Sequence, residues 1–167
     1  MKYKILLLFI IIAGASTAQE SYQSIGLRIG GGGGITYKYV EDYRSGFEGI
    51  LSYRDGGIQL TGLYEMYRPI KTDRINNFYF FSGFGAHAGY IRTYEQFCVQ
   101  EGGSCYLYSN QQTDAIIGLD GVVGFEYRFH SIPMGISLDY KPYVEFFGQE
   151  FFRIDLWAFA FSVKYAF

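Results

Sequence analysis

The last twelve residues, 156–167, read LWAFAFSVKYAF. Counting back by twos from the end gives Phe167, Tyr165, Val163, Phe161, Phe159 and Trp157, with Ala166, Lys164, Ser162, Ala160 and Ala158 between them. An apolar period of two is the mark of a strand whose faces differ in polarity. In a water-soluble sheet the aromatic face would be the core. This strand alone does not decide which face is inside, so the decision rests on the rest of the chain.

The N-terminus points to export. Lys2 and Lys4 form a basic region, Ile5–Ile12 an apolar run, and Ser16-Thr17-Ala18 a small-residue cleavage site. That is the pattern of a secretory signal. The apolar run is about half the roughly 20 residues a spanning helix requires. Residues 1–18 are therefore expected to be a signal peptide and 19–167 a single domain, with no lipoprotein anchor because no cysteine follows the run.

Composition narrows the class. Aromatic residues make up 20% of the chain, with 17 Tyr and 16 Phe, yet long apolar runs are scarce. Strands apolar on one side only satisfy both facts. A net charge of −2 excludes a general attraction to nucleic acid. Cys98 and Cys105 lie close together in a polar stretch of an exported chain, which predicts a local disulfide. Closing so short a loop contributes about 2–3 kcal/mol in the chain-entropy model. Two cysteines without a nearby histidine fall short of the four ligands zinc usually takes, so neither metal nor cofactor is expected.

Read for alternation and turn residues, the chain divides into eight segments: 23–31, 34–42, 46–55, 57–69, 77–93, 114–129, 134–148 and 151–167. Eight strands joined by hairpins can close into an antiparallel up-and-down barrel, which leaves no sheet edge. Pro142 falls inside the seventh segment, where it cannot donate to a ladder, and predicts a bulge or strand end.

Charge and length then choose the inner face. The polar sides carry Arg28, Lys38, Arg54, Arg128, Lys141 and Lys164, matched in number by Glu48, Glu65, Asp120, Glu126, Asp139 and Glu145, with His87 on the same side. A closed interior must pair its ions, because an isolated buried charge is very costly. A strand tilted about 40° climbs roughly 2.5 Å per residue, so the ~25 Å apolar band of a membrane barrel takes about ten residues. Trp157 to Phe167 spans that length, with Arg153 and Asp155 expected on the same side just beyond the band. The aromatic face is thus expected to look into lipid and the charged face into a filled lumen. Connections agree: 42, 73 and 131 lie in short turns at one end, and residues 94–113 are expected to form one long loop at the other, beside three short ones.

On these residues the chain resembles the small eight-stranded outer-membrane β-barrel proteins of Gram-negative bacteria, over nearly all of 19–167. The most specific part is the end: Phe161, Val163, Tyr165 and Phe167 look like the C-terminal signal shown to the barrel-assembly machinery. GITYKY (34–39), GFGAHAG (83–89), GLDGVVGFEY (118–127) and ISLDYKP (136–142) resemble an uncharacterised group within that class. The resemblance implies a transmembrane barrel in the cell outer membrane, in contact with its lipid, and no activity.

Chemical motifs are weak beside it. The run Gly30–Gly34 lacks the Lys-Ser/Thr of a P-loop and reads as a hairpin turn, and the glycines of GFGAHAG read as room for bulky interior neighbours. His87 could act as a general base, but His87-Ala88-Gly89 does not match the His and Ser of outer-membrane deacylases, and His130-Ser131 lies in an expected turn. Eight strands leave a lumen only wide enough for side chains. The expectation is a non-enzymatic, side-chain-filled barrel. A small-solute channel, a lipid-modifying enzyme and a soluble lipocalin-like carrier are the alternatives.

Overall fold

The computed structural model describes residues 21–41, 44–72, 75–101, 104–146 and 152–167, with side chains described throughout except at 71–72, 75–76, 93–101 and 104–110. The expected signal peptide, residues 1–18, lies outside them. The strands are β1 (Tyr22–Ile29), β2 (Gly33–Glu41), β3 (Ser45–Arg54), β4 (Gly57–Thr72), β5 (Ile75–Glu101), β6 (Ser104–Arg128), β7 (Met134–Tyr140), β8 (Tyr143–Phe146), β9 (Phe152–Asp155) and β10 (Phe159–Ala166). Every pairing is antiparallel, β1 closes on β10 and β5 on β6. The result is the closed eight-stranded antiparallel barrel that the alternation predicts. β7 with β8 makes its seventh wall strand, and β9 with β10 its eighth.

The two interruptions have different causes. β7 and β8 keep one register against β6, Tyr140 facing Val123 and Tyr143 facing Asp120. Pro142 has no N–H, so the ladder lapses there, as expected, although its carbonyl still accepts from Gly121 N–H at 2.9 Å. The eighth strand departs from expectation. Tyr140 faces Phe159, whereas Tyr143 faces Asp155. Lys141 and Pro142 therefore oppose three residues, Leu156, Trp157 and Ala158, and the extra one makes a β-bulge. An odd insertion reverses the alternation. Arg153 and Asp155 turn to the inner side instead of sharing the outer side with Trp157, and Phe152 and Ile154 point out, each about half exposed.

The segment expected as a long loop, 94–113, is also different. β5 and β6 pair without a break from Phe78 opposite Tyr127 to Glu101 opposite Ser104. Their outer neighbours stop earlier, β4 at Ile58 opposite Tyr90 and β8 at Phe146 opposite Ile117. The hairpin thus runs about ten residues past its neighbours, roughly 30 Å of two-stranded ribbon. The expected disulfide falls on side chains outside those described. The backbone register sets Cys98 opposite Leu107 and Cys105 opposite Gln100.

Large apolar side chains cover the outside. Leu27, Ile29, Phe47, Leu51, Leu60, Phe84, Leu119, Leu138 and Phe167 are exposed to half or more of their area. The charged side chains are within. Among the C-terminal residues singled out from sequence, Phe161, Val163, Tyr165 and Phe167 all lie on the outer face, and Lys164 between them is buried.

Candidate functional site

The lumen is built in layers, because alternate residues of each wall strand point to the axis. At the end holding the termini sits a ring of three cations and three carboxylates. Lys38 Nζ lies 3.2 Å from Glu48, 2.9 Å from Glu65 and 3.3 Å from Glu126. Lys164 Nζ lies 3.2 Å from Glu48 and 3.5 Å from Glu126, and Arg128 Nε donates to Glu126 at 2.6 Å. The Tyr67 hydroxyl donates to Glu65 at 2.6 Å, and the Thr36 hydroxyl donates to Glu48. Tyr22 and Tyr79 lie against the Arg128 guanidinium, with ring centres 3.8 and 4.5 Å away. Lys38, Glu65 and Glu126 are wholly buried, which such dense pairing makes tolerable.

Above this ring the strands β3 to β6 contribute Ile50, Leu63, Phe81 and Val122, an apolar layer inside the barrel. On the opposite wall Arg28 grips Asp139 with both terminal guanidinium nitrogens, Nη1 at 2.7 Å. Higher still, Lys141 Nζ donates to Asp120 at 2.6 Å, and His87 Nδ1 is 2.8 Å from the other oxygen of Asp120. His87 Nε2 lies 3.4 Å from Glu145, which also accepts from Arg54 at 2.5 Å. Every charged side chain assigned to the lumen from sequence faces it. The polar residues Ser24, Thr36, Gln59, Thr61, Ser137 and Ser162 join them, all buried. His87 is thus an interior group held by two carboxylates, away from the outer face of the barrel. His130 and Ser131 sit exposed in the turn between β6 and β7.

Close packing explains specific glycines. A Cβ at Gly118 would meet the His87 ring at 2.3 Å, and one at Gly124 would meet Phe81 Cζ at 2.6 Å. Cβ atoms at Gly83, Gly85 and Gly89 would strike the β4 backbone, at Tyr64, Gly62 and Ile58 oxygens, so these glycines of GFGAHAG permit close strand approach, and Gly85 also leaves room for the interior Leu63, whose Cδ2 a Cβ would meet at 2.8 Å. Gly118→Val is accordingly expected to lower stability by about 1–3 kcal/mol through overpacking. Urea unfolding should show it, with His87→Ala in the same chain recovering part of the loss.

The other end of the barrel is open. A chamber of about 20 Å³, room for roughly one water, lies beneath the turn at Gly30–Gly32 and is lined by Arg28, Ser52, Gln59, Thr61 and Lys141. It shares Arg54 and Tyr143 with a wider mouth of about 250 Å³, bordered by Asp55, Arg153, Asp155 and Trp157. Asp155 is oriented by Tyr143 O–H at 3.1 Å and Trp157 N–H at 2.8 Å. None of the four bordering residues was singled out as functional from sequence. The available signal was a change of phase: Phe152, Ile154 and Leu156 are apolar at even positions, and from Trp157 onward the odd positions are.

Fold and contents define a closed eight-stranded β-barrel, apolar outside and ion-paired within. No family model matches the chain, and no curated protein matches it. Among solved structures it is similar to the N-terminal β-barrel domain of OprF from Pseudomonas aeruginosa, at 14% identity over 89% of this chain and 98% of that one, with a TM-score of 0.48.

Proposed function

We propose that the chain is an integral protein of a bacterial outer membrane, exported by residues 1–18, with a sealed lumen and no catalytic activity. The observation that carries this reading is the inversion of polarity. Leu27, Ile29, Leu51, Leu60 and Phe161 lie outside while Lys38, Lys164, Glu65 and Glu126 are buried. In water an apolar surface running round the whole barrel would far exceed the few hundred Å² that soluble monomers expose. In hydrocarbon it is the stable arrangement, because a closed barrel satisfies every wall strand's backbone groups internally. Cofractionation with outer membranes, with faster gel migration of the unheated protein, is the expected result. Release by carbonate wash without detergent would instead favour a soluble carrier.

The lumen supports sealing. Ile50, Leu63, Phe81 and Val122 occupy one side of it above the ion ring and the Arg28–Asp139 pair the other, so side chains fill the section and leave no continuous path for ions. Purified protein in planar bilayers is expected to show no steady conductance. Phe81→Ser combined with Leu63→Ser is expected to produce discrete current steps. Steady conductance from the unaltered protein would turn the reading to a small-solute channel.

A further inference from the structure

We propose that the open mouth of the barrel binds one ring of an uncharged saccharide, its hydroxyls bridging Arg153 and Asp55 beside Trp157. The cavity exists for two local reasons. Gly31 and Gly32 adopt φ of 56° and 113°, conformations that side-chain-bearing residues rarely take, so one wall carries no side chains. The bulge opposite Pro142 forms the other wall and turns Arg153 and Asp155 inward.

Charge selects the class of ligand. Arg153 faces Asp55 and Asp155 across the mouth, and Arg54 is shared between Asp55 and the deeper Glu145, so the border has no surplus positive charge to hold an anion. Deeper, Arg54 is spent on Glu145, Lys141 on Asp120 and Arg28 on Asp139. Asp155 has both oxygens engaged by the protein itself. The groups left for a ligand are Arg153 and Asp55, about half exposed, with Arg153 Nη1 4.0 Å from Asp55 Oδ2. That is too long for a hydrogen bond. It suits one inserted oxygen about 2.8 Å from each, accepting from the guanidinium and donating to the carboxylate. A hydroxyl is the small uncharged group that does both at once.

Two further features fit. Arg54, on a side chain nine-tenths buried, holds its Nε 3.4 Å from Asp55 Oδ2 and so fixes that carboxylate at the mouth from within. Trp157 is 83% exposed on the border, an apolar flat surface for the C–H face of a sugar. At about 250 Å³ the mouth lies just under the usual range of ligand pockets, so it takes one ring of a chain rather than a whole oligosaccharide. The inference rests on the membrane reading only for the side of the bilayer that the mouth would face.

Trp157 is the single tryptophan of the chain and reports on the site directly. The mature protein, refolded in a detergent without a sugar headgroup, would be titrated with glucose, galactose and mannose oligosaccharides, by indole emission and by calorimetry. A saturable response to at least one, with a midpoint in the millimolar range, is expected. Arg153→Gln and Asp55→Asn should each raise that midpoint about tenfold while heat-modifiable migration stays intact. The proposal fails if no oligosaccharide saturates by either method, or if both variants leave the midpoint unchanged. Saturation by sodium phosphate or glycine betaine with none by the sugars overturns it in favour of an ionic ligand. Loss of heat-modifiable migration in the unaltered protein would sink the barrel reading instead.

Discussion

Lys38→Met is expected to lower the stability of the barrel by about 3–5 kcal/mol, the loss typical when one partner of a buried ion cluster is removed. Lys38 is the hub of the ring, within 3.3 Å of Glu48, Glu65 and Glu126, and it is wholly buried. Without it, Lys164 and Arg128 face three carboxylates, and Glu65 keeps only the Tyr67 hydroxyl among the contacts described above. Adding Glu65→Gln restores the balance of charge and should recover most of the loss, since neutral groups of similar shape cost little once neither ion remains. Urea unfolding of the protein refolded into lipid vesicles reads both variants. A single variant as stable as the parent would show that the ring does not hold the barrel together.

Gly49→Arg is expected to cost about 2–4 kcal/mol in a bilayer, the penalty for a basic side chain near the midplane of a membrane barrel. Gly49 lies midway along β3 on the outer face, and an added Cβ meets nothing within 4 Å. Steric conflict is therefore not involved. Gly49→Leu at the same point should be neutral or stabilising in a bilayer, because it would add apolar surface facing hydrocarbon and removes a glycine from a strand. The difference between the two variants is a direct reading of the solvent outside β3. Were water outside, the order would reverse: arginine would be harmless and leucine would promote aggregation.

Much of this protein was legible because a strand has period two and a closed barrel sorts polarity by face. From Phe47, Glu48 and Ile50 onward, each residue's side follows from its position once the strand's phase is known. That is why Lys38, Glu126 and Lys164 could be assigned to the lumen together, although they are far apart in the chain. The long β5–β6 ribbon was less legible. Gln96, Gln100, Ser104 and Gln111 break the apolar pattern, and polar residues read as a loop whether or not the backbone stays paired. What holds them in strands is the cross-strand register, which no local preference reports.

The sequence by itself determined the number of wall strands, their antiparallel order, the outer and inner faces and the presence of matched charges, because each depends only on alternation and composition. Only the tertiary structure decided which ions meet, since Arg28 of β1 reaches past β10 to Asp139 of β7 on the same wall. It also decided the fate of Arg153 and Asp155. Their strand gains one residue over its neighbour opposite Pro142, and a single extra residue exchanges the two faces beyond it. Register between strands is a property of the pair, so the mouth could be seen only once both strands were in place.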